Sequence, residues 1–269
     1  MTEFFYKPGE SVALATKHGK ERAVSRPFSR KLGLRVVVPD EIDTDAFGTF
    51  TGEIERDGSA LETAFAKARL GMKLTGLALG LASEGSFGAH PSLPFAVAGC
   101  ELLVFVDDRH GFQLAQQIVT AHTNFAYAEI SSFDELEKFL SCVKFPSHAL
   151  IAYPNRGRAP DAIFKGLQSI EALEKAVNFC RDISEDKRVL VETDMRAHLN
   201  PTRMRVIRRL AVKLARRLAT LCPKCSTPGF GLVDLERSLK CALCGLATLL
   251  ARAEIHACAK CDYRENRLI

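Results

Sequence analysis

The stretch SVALATKHGKERAVSRPFSRKLGLRVVVP, residues 11–39, decides the class of fold. Its two ends, 11–16 and 34–39, are short apolar runs of the kind that buried strands carry. The segment between them has helical spacing, but its internal proline predicts a broken helix. A strand, a helix and a second strand in this order predict an α/β fold.

The same alternation continues as far as residue 220. Amphipathic helices are predicted for SALETAFAKARLGMKLTG, FDELEKFLSCV and SIEALEKAVNFCRDI. The polar-interleaved run 112–130 is predicted to form a hairpin of exposed strands. We therefore expect residues 1–220 to form an α/β domain, a layered mixed sheet flanked by helices. Its other strands are predicted at 77–83, 101–107, 148–154 and 188–193.

Composition narrows the class of protein. Hydrophobic residues make up 47% of the chain, enough for a sizeable core, but no apolar run approaches the roughly 20 residues that span a bilayer. The first residues lack the basic-then-apolar layout of a signal peptide. We expect a cytoplasmic protein without a membrane partner.

The net charge of +5 is concentrated in one predicted helix. This excess predicts contact with phosphate or nucleic acid, or else it is the solvated face of an amphipathic helix. The basic residues are Arg203, Arg205, Arg208, Arg209, Lys213, Arg216 and Arg217.

Three CxxC pairs occupy the last part of the chain, and they predict a zinc-ribbon-like domain over residues 221–269 with a structural zinc. Spacing allows the first and second pairs, or the second and third, to share a metal. Six thiolates exceed one tetrahedron, so His256 is a candidate ligand of a second site. The alternative is redox chemistry at the CxxC pairs. The candidate ligands are Cys222, Cys225, Cys241, Cys244, Cys258 and Cys261.

The turn that follows the first predicted strand is a candidate phosphate site. Thr16, Gly19 and Lys20 lie in the turn between a predicted strand and a predicted helix. Such a turn can present backbone N–H groups and a lysine to an anion. An ordinary basic turn explains the same residues. The pattern is not a P-loop.

Carboxylates near two other strand and helix ends are candidate catalytic residues. Glu84 lies among glycines at a strand end, where α/β sheets collect ligands, and is the first choice for a metal-binding or general-base carboxylate. Glu62 opens a helix and follows the acids Glu53, Glu55 and Asp57. Acids at a helix start also serve simply to offset the helix dipole.

The stretch VETDMRAHLNPTRM, residues 191–204, joins a predicted strand to the last long helix. Asn200 and Pro201 are a favourable start for that helix. Arg196, His198 and Arg203 are candidate phosphate ligands around this start, and Asp194 is expected to orient Arg196 or to share a metal.

The order of four stretches resembles that of the house-cleaning nucleoside triphosphate pyrophosphatases that hydrolyse inosine and xanthosine triphosphates. Thr16, His18 and Lys20 approximate their strand-to-turn motif, and 62–68 their helix. The acid-and-glycine strand end is matched at 84–88, and Asn200, Thr202 and Arg203 stand in for their last turn. The whole layout, with ETDMRAHLNPTRM and the cysteine tail, also resembles an uncharacterised bacterial family known as a domain of unknown function.

Two functions follow as hypotheses. The first is hydrolysis of a nucleotide phosphoanhydride with Mg²⁺ or Mn²⁺, in which Lys20, Arg196 and Arg203 hold phosphates and Glu62 and Glu84 hold the cation. The second is a binding module, in which the cysteine tail and the arginine-rich helix contact nucleic acid or a protein.

Overall fold

The computed structural model describes residues 4–40, 42, 59–157 and 160–269. Five α-helices lie in these ranges: α1 (Glu21–Leu32), α2 (Ala60–Thr75), α3 (Glu137–Val143), α4 (Ile170–Ile183) and α5 (Pro201–Leu218). The strands are β1 (Ser11–Ala15), β2 (Arg35–Val37), β3 (Leu79–His90), β4 (Leu93–Asp107), β5 (Phe112–Thr120), β6 (Tyr127–Ile130), β7 (Leu150–Pro154), β8 (Phe164–Leu167), β9 (Val189–Thr193), β10 (Gly231–Arg237), β11 (Ala251–Ala257) and β12 (Arg264–Leu268).

The first sheet has the strand order β2-β1-β3-β4-β5 and is mixed. β1 runs parallel to β2 and β3, whereas β3, β4 and β5 are joined antiparallel. Helices cover both faces of this sheet. Because successive side chains of a strand point to opposite sides, neighbouring residues of β4 pack with different helices. Leu103 and Phe105 pack with α1 and α5, and Leu102 and Val104 pack with α2. The expected layered mixed sheet flanked by helices is confirmed.

A second sheet follows in the order β6-β9-β7-β8 and is antiparallel throughout. Its core includes Leu173 and Val177 of α4, packed with Leu150 and Val191 of the sheet. The hairpin predicted for 112–130 is wrong. β5 pairs with β4 and β6 pairs with β9, so the two halves of this segment belong to different sheets.

The predicted break in the first helix is also wrong, since α1 is continuous through Pro27. Proline removes one backbone hydrogen bond from a helix. Burial compensates for this loss, because Val24, Phe28 and Leu32 of α1 pack with Leu210 and Leu214 of α5.

α5 begins where the sequence predicts, and its first turn is fully capped. The Asn200 side chain accepts a hydrogen bond from the Arg203 N–H at 2.9 Å. His148, buried just before β7, accepts another at Nε2 from the Thr202 N–H at 3.1 Å. These partners satisfy N–H groups that a helix leaves unpaired at its start. The start of α5 is therefore committed to protein contacts rather than open to an anion.

The third sheet is the antiparallel ribbon β10-β11-β12. It lies against the rest of the chain: Lys260 Nζ donates to the His110 carbonyl at 2.7 Å, and Arg217 Nε donates to the Gly229 carbonyl at 3.1 Å. None of the helices in the described ranges has the length and apolar character needed to cross a membrane.

Candidate functional site

Five charged side chains, from four different elements and one turn, are buried together beyond the end of β1. Lys20 directly precedes α1, Lys67 comes from α2 and Arg203 from α5, while Glu84 and Glu101 lie on β3 and β4. Charged groups are rarely buried unless they are paired, because the loss of hydration is costly. We call these five residues the charge cluster.

Two ion pairs of the charge cluster lie on opposite faces of the sheet. Lys67 Nζ is 2.6 Å from Glu84 Oε1 on the face that α2 covers. Arg203 Nε is 2.6 Å from Glu101 Oε1 on the face that α5 covers. Arg203 also donates to the Met195 carbonyl. The sheet thus has one buried acid–base pair beneath each helical layer.

Lys20 lies at the edge of the sheet between the two pairs. β1 ends with Ala15 paired to Ala82, and Lys20 Nζ donates to the next carbonyl of β3, that of Ser83, at 2.9 Å. An ammonium group has three N–H donors. In the part of the chain that the structure describes, the Ser83 carbonyl is the acceptor that Lys20 contacts, so further donors are left for an anion.

Gly85 provides the space for the pair on the α5 side. It is opposite Glu101 in the antiparallel register of β3 and β4. A Cβ atom on Gly85 would lie 2.5 Å from Arg203 Nη2 and 2.8 Å from Glu101 Oε1. A side chain at this position would therefore push the guanidinium away from its carboxylate.

Burial, followed by the positive charge of Arg203, lowers the pKa of Lys20, which comes to about 8. The charges of Glu101 and Glu84 raise the pKa in opposition, and that of Lys67 lowers it. All four other members of the charge cluster therefore act on one ammonium. A lysine with this pKa is partly neutral at mildly alkaline pH, and perturbed groups of this kind are common at functional sites.

Lys20 should make the stability of the protein rise with pH. The folded protein releases this proton near pH 8, but the unfolded chain holds it until about pH 10.5, so the unfolded state binds more protons between these values. The free energy of unfolding of the wild type, relative to that of Lys20→Met, is expected to rise by up to about 3 kcal/mol across this window. Urea unfolding at several pH values measures it.

Lys213→Met, at an exposed position of α5, is the control for the loss of a lysine side chain. Parallel pH curves for wild type and Lys20→Met would contradict the lowered pKa.

The turn after β1 and the segment before α5 meet beside the charge cluster. The rings of His18 and His198 stack with their centroids 5.2 Å apart. The buried Thr16 holds the turn, because its Oγ1 accepts from the His18 N–H at 3.2 Å. Burial, followed by the charge of Arg196, lowers the pKa of His198. The structure thus brings two of the sequence-predicted phosphate segments together.

Asp194 is fully buried and holds Arg196 in place. The carboxylate accepts from Arg196 Nη2 at 2.6 Å and from the Arg196 N–H at 3.0 Å. The Asp194 carbonyl accepts from the Asn200 side chain, which links this pair to the start of α5. The Arg196 side chain is 30% exposed, so it lies at the border between the interior and solvent.

Glu62 lies outside the charge cluster. Its carboxylate accepts from the Ser59 N–H and from the Ser59 hydroxyl, each at 2.8 Å, in the capping box of α2. These bonds, the backbone one first, lower the pKa of Glu62. The contacts are those of an acid that caps a helix. The neighbouring candidates Glu53, Glu55 and Asp57 lie outside the described residues.

Glu101 is the member of the charge cluster that the sequence analysis did not single out. Glu101 and Arg203 are far apart in the chain, and no spacing rule connects them. One signal was available for Glu101: it opens ELLVFVD, an apolar run that was predicted to be buried, and a carboxylate there requires a buried partner.

Four of the six tail cysteines form a second site. The sulfur atoms of Cys222, Cys225, Cys258 and Cys261 all lie within 4.8 Å of one another. Cys222 Sγ is 3.8 Å from Cys261 Sγ, and Cys225 Sγ is 3.6 Å from Cys258 Sγ. A tetrahedral site with Zn–S bonds of 2.3 Å requires sulfurs about 3.8 Å apart. These four cysteines are therefore placed to hold a metal ion.

The four-cysteine group consists of the first and third CxxC pairs. The sequence analysis expected the first and second pairs, or the second and third, to share a metal. The first and third pairs meet because β10 pairs with β11. Gly231 is opposite Ala257, which brings the chain after Cys225 back to Cys258. The middle pair lies beyond the other end of the same hairpin.

The first knuckle is closed by its own backbone. The Cys222 N–H donates to the Thr227 carbonyl and the Ser226 N–H donates to the Cys222 carbonyl, each at 2.9 Å. Ser226 has a φ of 56°. His256, considered as a ligand of a second metal, pairs instead with Glu254 at 2.8 Å.

Together these features define an α/β protein with a buried charge cluster and a four-cysteine group that could hold a metal ion. The family model described as Domain of unknown function (DUF6671) matches residues 67–269. Because the match spans most of the chain, the protein belongs to this family, as its layout predicts. Comparisons with curated proteins and with solved structures found no match. The resemblance to nucleoside triphosphate pyrophosphatases stays a prediction.

Proposed function

We propose that the protein hydrolyses a phosphoanhydride bond of a nucleotide with the help of Mg²⁺ or Mn²⁺. The observation that carries the proposal is the charge cluster, in which three cationic and two anionic side chains are buried beyond the end of β1. Ligands of α/β proteins bind at the carboxyl ends of strands. The excess of positive charge there favours an anion.

In this proposal Lys20 binds phosphate from the buried side of the site. Arg196 and His198 bind it from the more exposed side. Lys20 has donors directed away from the Ser83 carbonyl, and Thr16 shapes its turn. Asp194 is a positioning residue, because its carboxylate orients Arg196. Arg203 acts through Glu101 rather than on the phosphate, since its guanidinium is buried against that carboxylate.

Glu84 is the carboxylate that would hold the divalent cation and orient a water molecule. Mg²⁺ sites in nucleotide enzymes use one or two carboxylates together with phosphate oxygens and water, so a single well-placed glutamate suits such a site. Lys67 holds Glu84 at 2.6 Å and fixes its direction. Glu62, at the start of α2, stays a candidate second carboxylate. When bound, the cation would neutralise the negative charge that develops on the phosphate during hydrolysis.

The test is release of phosphate and pyrophosphate from common and deaminated nucleoside triphosphates, with Mg²⁺ or Mn²⁺ present. Glu84→Gln should reduce turnover by about a hundredfold or more, because it removes the cation's carboxylate. Glu174→Gln, an exposed change on α4, is the matched control and should retain full turnover. Absence of turnover across the panel, with folded and metal-loaded protein, would reject the hydrolase.

A second candidate function is nucleic-acid binding, and one observation favours it. The exposed face of α5 carries a row of basic side chains, Arg205, Arg208, Arg209, Lys213 and Arg216. Such a basic face suits contact with a phosphate backbone, and this contact weakens as the salt concentration rises. Changing Arg205, Arg208 and Arg209 together to alanine should abolish salt-dependent binding of nucleic acid and leave hydrolysis unchanged.

We further propose that the four-cysteine group holds a structural zinc ion and that residues 221–269 form a zinc module. Zinc favours four thiolates in a tetrahedron, and the observed sulfur separations suit it. The module has a small core, so bound metal would contribute much of its folding free energy. A reducing compartment such as the cytoplasm would keep these thiols available.

A further inference from the structure

The middle CxxC pair lies at the tip of the β10–β11 hairpin, away from the four-cysteine group. Cys241 and Cys244 fall in the connection between Arg237 and Ala251, which are paired at the end of the hairpin ladder. Cys244 is exposed and Cys241 is partly so. We call residues 239–250 the hairpin tip.

The hairpin tip is folded as a metal-binding knuckle. The Cys241 N–H donates to the Leu246 carbonyl at 2.8 Å, and the Gly245 N–H donates to the Cys241 carbonyl at 2.9 Å. The first knuckle has the same two bonds at the same positions. Gly245 has a φ of 71°, like the left-handed residue that follows the second cysteine there. The backbone therefore presents two thiols as the first knuckle does.

This knuckle offers only half of a zinc site. Among residues 4–40, 42, 59–157 and 160–269, no third cysteine, histidine or acidic side chain joins Cys241 and Cys244 in a metal-binding group. A closed structural zinc site needs four ligands. The part of the chain that the structure describes does not place two further ligands beside this knuckle.

The surface around the two thiols is apolar. Leu243 is 96% exposed and Leu249 is 84% exposed, with Leu246 and Leu250 beside them. Lys240 is the one charged residue in the tip segment 239–250. Clustered exposed leucines of this kind mark a surface that another molecule covers.

We propose that two copies of this chain join tip to tip and share one zinc ion, bound by Cys241 and Cys244 of each copy. A twofold axis through the metal makes the contact self-complementary, as in most homodimers. Each copy then supplies the two thiolates that the other lacks, and the leucines of one tip cover those of the other. Four thiolates exceed the charge of Zn²⁺ by two, which the two Lys240 ammonium groups offset.

The experiment measures molar mass by light scattering and zinc by elemental analysis on the full chain, kept in a thiol-free reductant. The wild type should be a dimer with about three zinc ions per two chains, one in each four-cysteine group and one shared. Cys241→Ser with Cys244→Ser should be a monomer with about one zinc ion per chain. That retained ion shows that the rest of the tail is folded.

Two further variants test whether any loss of thiols has the same effect and whether the leucines contribute to the contact. Cys100→Ser with Cys142→Ser removes two thiols outside the tail and should leave both the mass and the zinc content unchanged. Leu243→Ser keeps both ligands but removes apolar contact, and should weaken dimerisation about tenfold or more.

A wild-type monomer, whatever its zinc content, would overturn the proposal. So would a dimer that survives the double cysteine change at unchanged zinc content. The reductant excludes a disulfide-linked dimer, and a chelator should dissociate the dimer that the proposal describes.

Discussion

Replacing Cys222 with serine is expected to remove about one tightly bound metal ion per chain and to unfold the β10–β12 ribbon. Cys222 is the buried member of the four-cysteine group, and its sulfur faces that of Cys261. Structural zinc contributes on the order of 10 kcal/mol to the folding of small domains, more than a three-stranded ribbon can replace. Elemental analysis and amide hydrogen exchange of β10–β12 measure the two effects.

Cys142→Ser, at an exposed thiol of α3, is the matched control and should change neither quantity. Protection of β3 and β4 should persist in both variants, because the first sheet has its own core. Unchanged metal content and full protection of the ribbon in Cys222→Ser would exclude this group as the metal site.

Arg203→Met should lower the free energy of unfolding by about 3–5 kcal/mol, because it leaves the Glu101 carboxylate buried without a partner. Glu101 is 1% exposed and its oxygen is 2.6 Å from the guanidinium. Glu101→Gln leaves the Arg203 guanidinium without a counter-charge, but it should cost less, because the amide oxygen still accepts from Arg203 and the Met195 carbonyl accepts a second hydrogen bond. Urea unfolding of both variants measures the difference.

Combining Arg203→Met with Glu101→Leu should recover much of the lost stability, because no charge is then buried alone. Arg208→Met, on the exposed face of α5, is the control and should lie within about 0.5 kcal/mol of the wild type. If the double variant is as unstable as the sum of Arg203→Met and Glu101→Leu measured singly, the two side chains are not coupled.

Much of the fold could be predicted because buried elements leave local patterns. The apolar runs at 77–83 and 101–107 mark the buried halves of β3 and β4. The continuation of β3 as far as His90 carries no such run, and the first part of β4, from Leu93, is apolar but largely exposed. The predicted strands are therefore shorter than the observed ones. The start of α5 was predictable to the residue, because Asn200 and Pro201 are local signals.

The site was less predictable because its contacts are long-range. Glu84, Lys20 and Arg203 were singled out from their local settings, and the structure buries all three in the charge cluster. Their partners, Lys67 and Glu101, could not be predicted, because only the packing of α2 and β4 in the folded protein brings them together. For the cysteines, spacing indicated a metal, but only the register of the hairpin selects the first and third pairs.

The β10–β11 hairpin has a consequence for how this family can vary. Its base is closed by the four-cysteine group, whereas its tip makes no ligand for that group. The entropy cost of closing a loop grows only slowly with loop length. Adding or removing residue pairs in the two strands would therefore change how far the tip projects while the four-cysteine group at the base stays intact. The length of the β10–β11 hairpin, and with it the position of the hairpin tip, can therefore change during evolution without altering the four-cysteine group at its base.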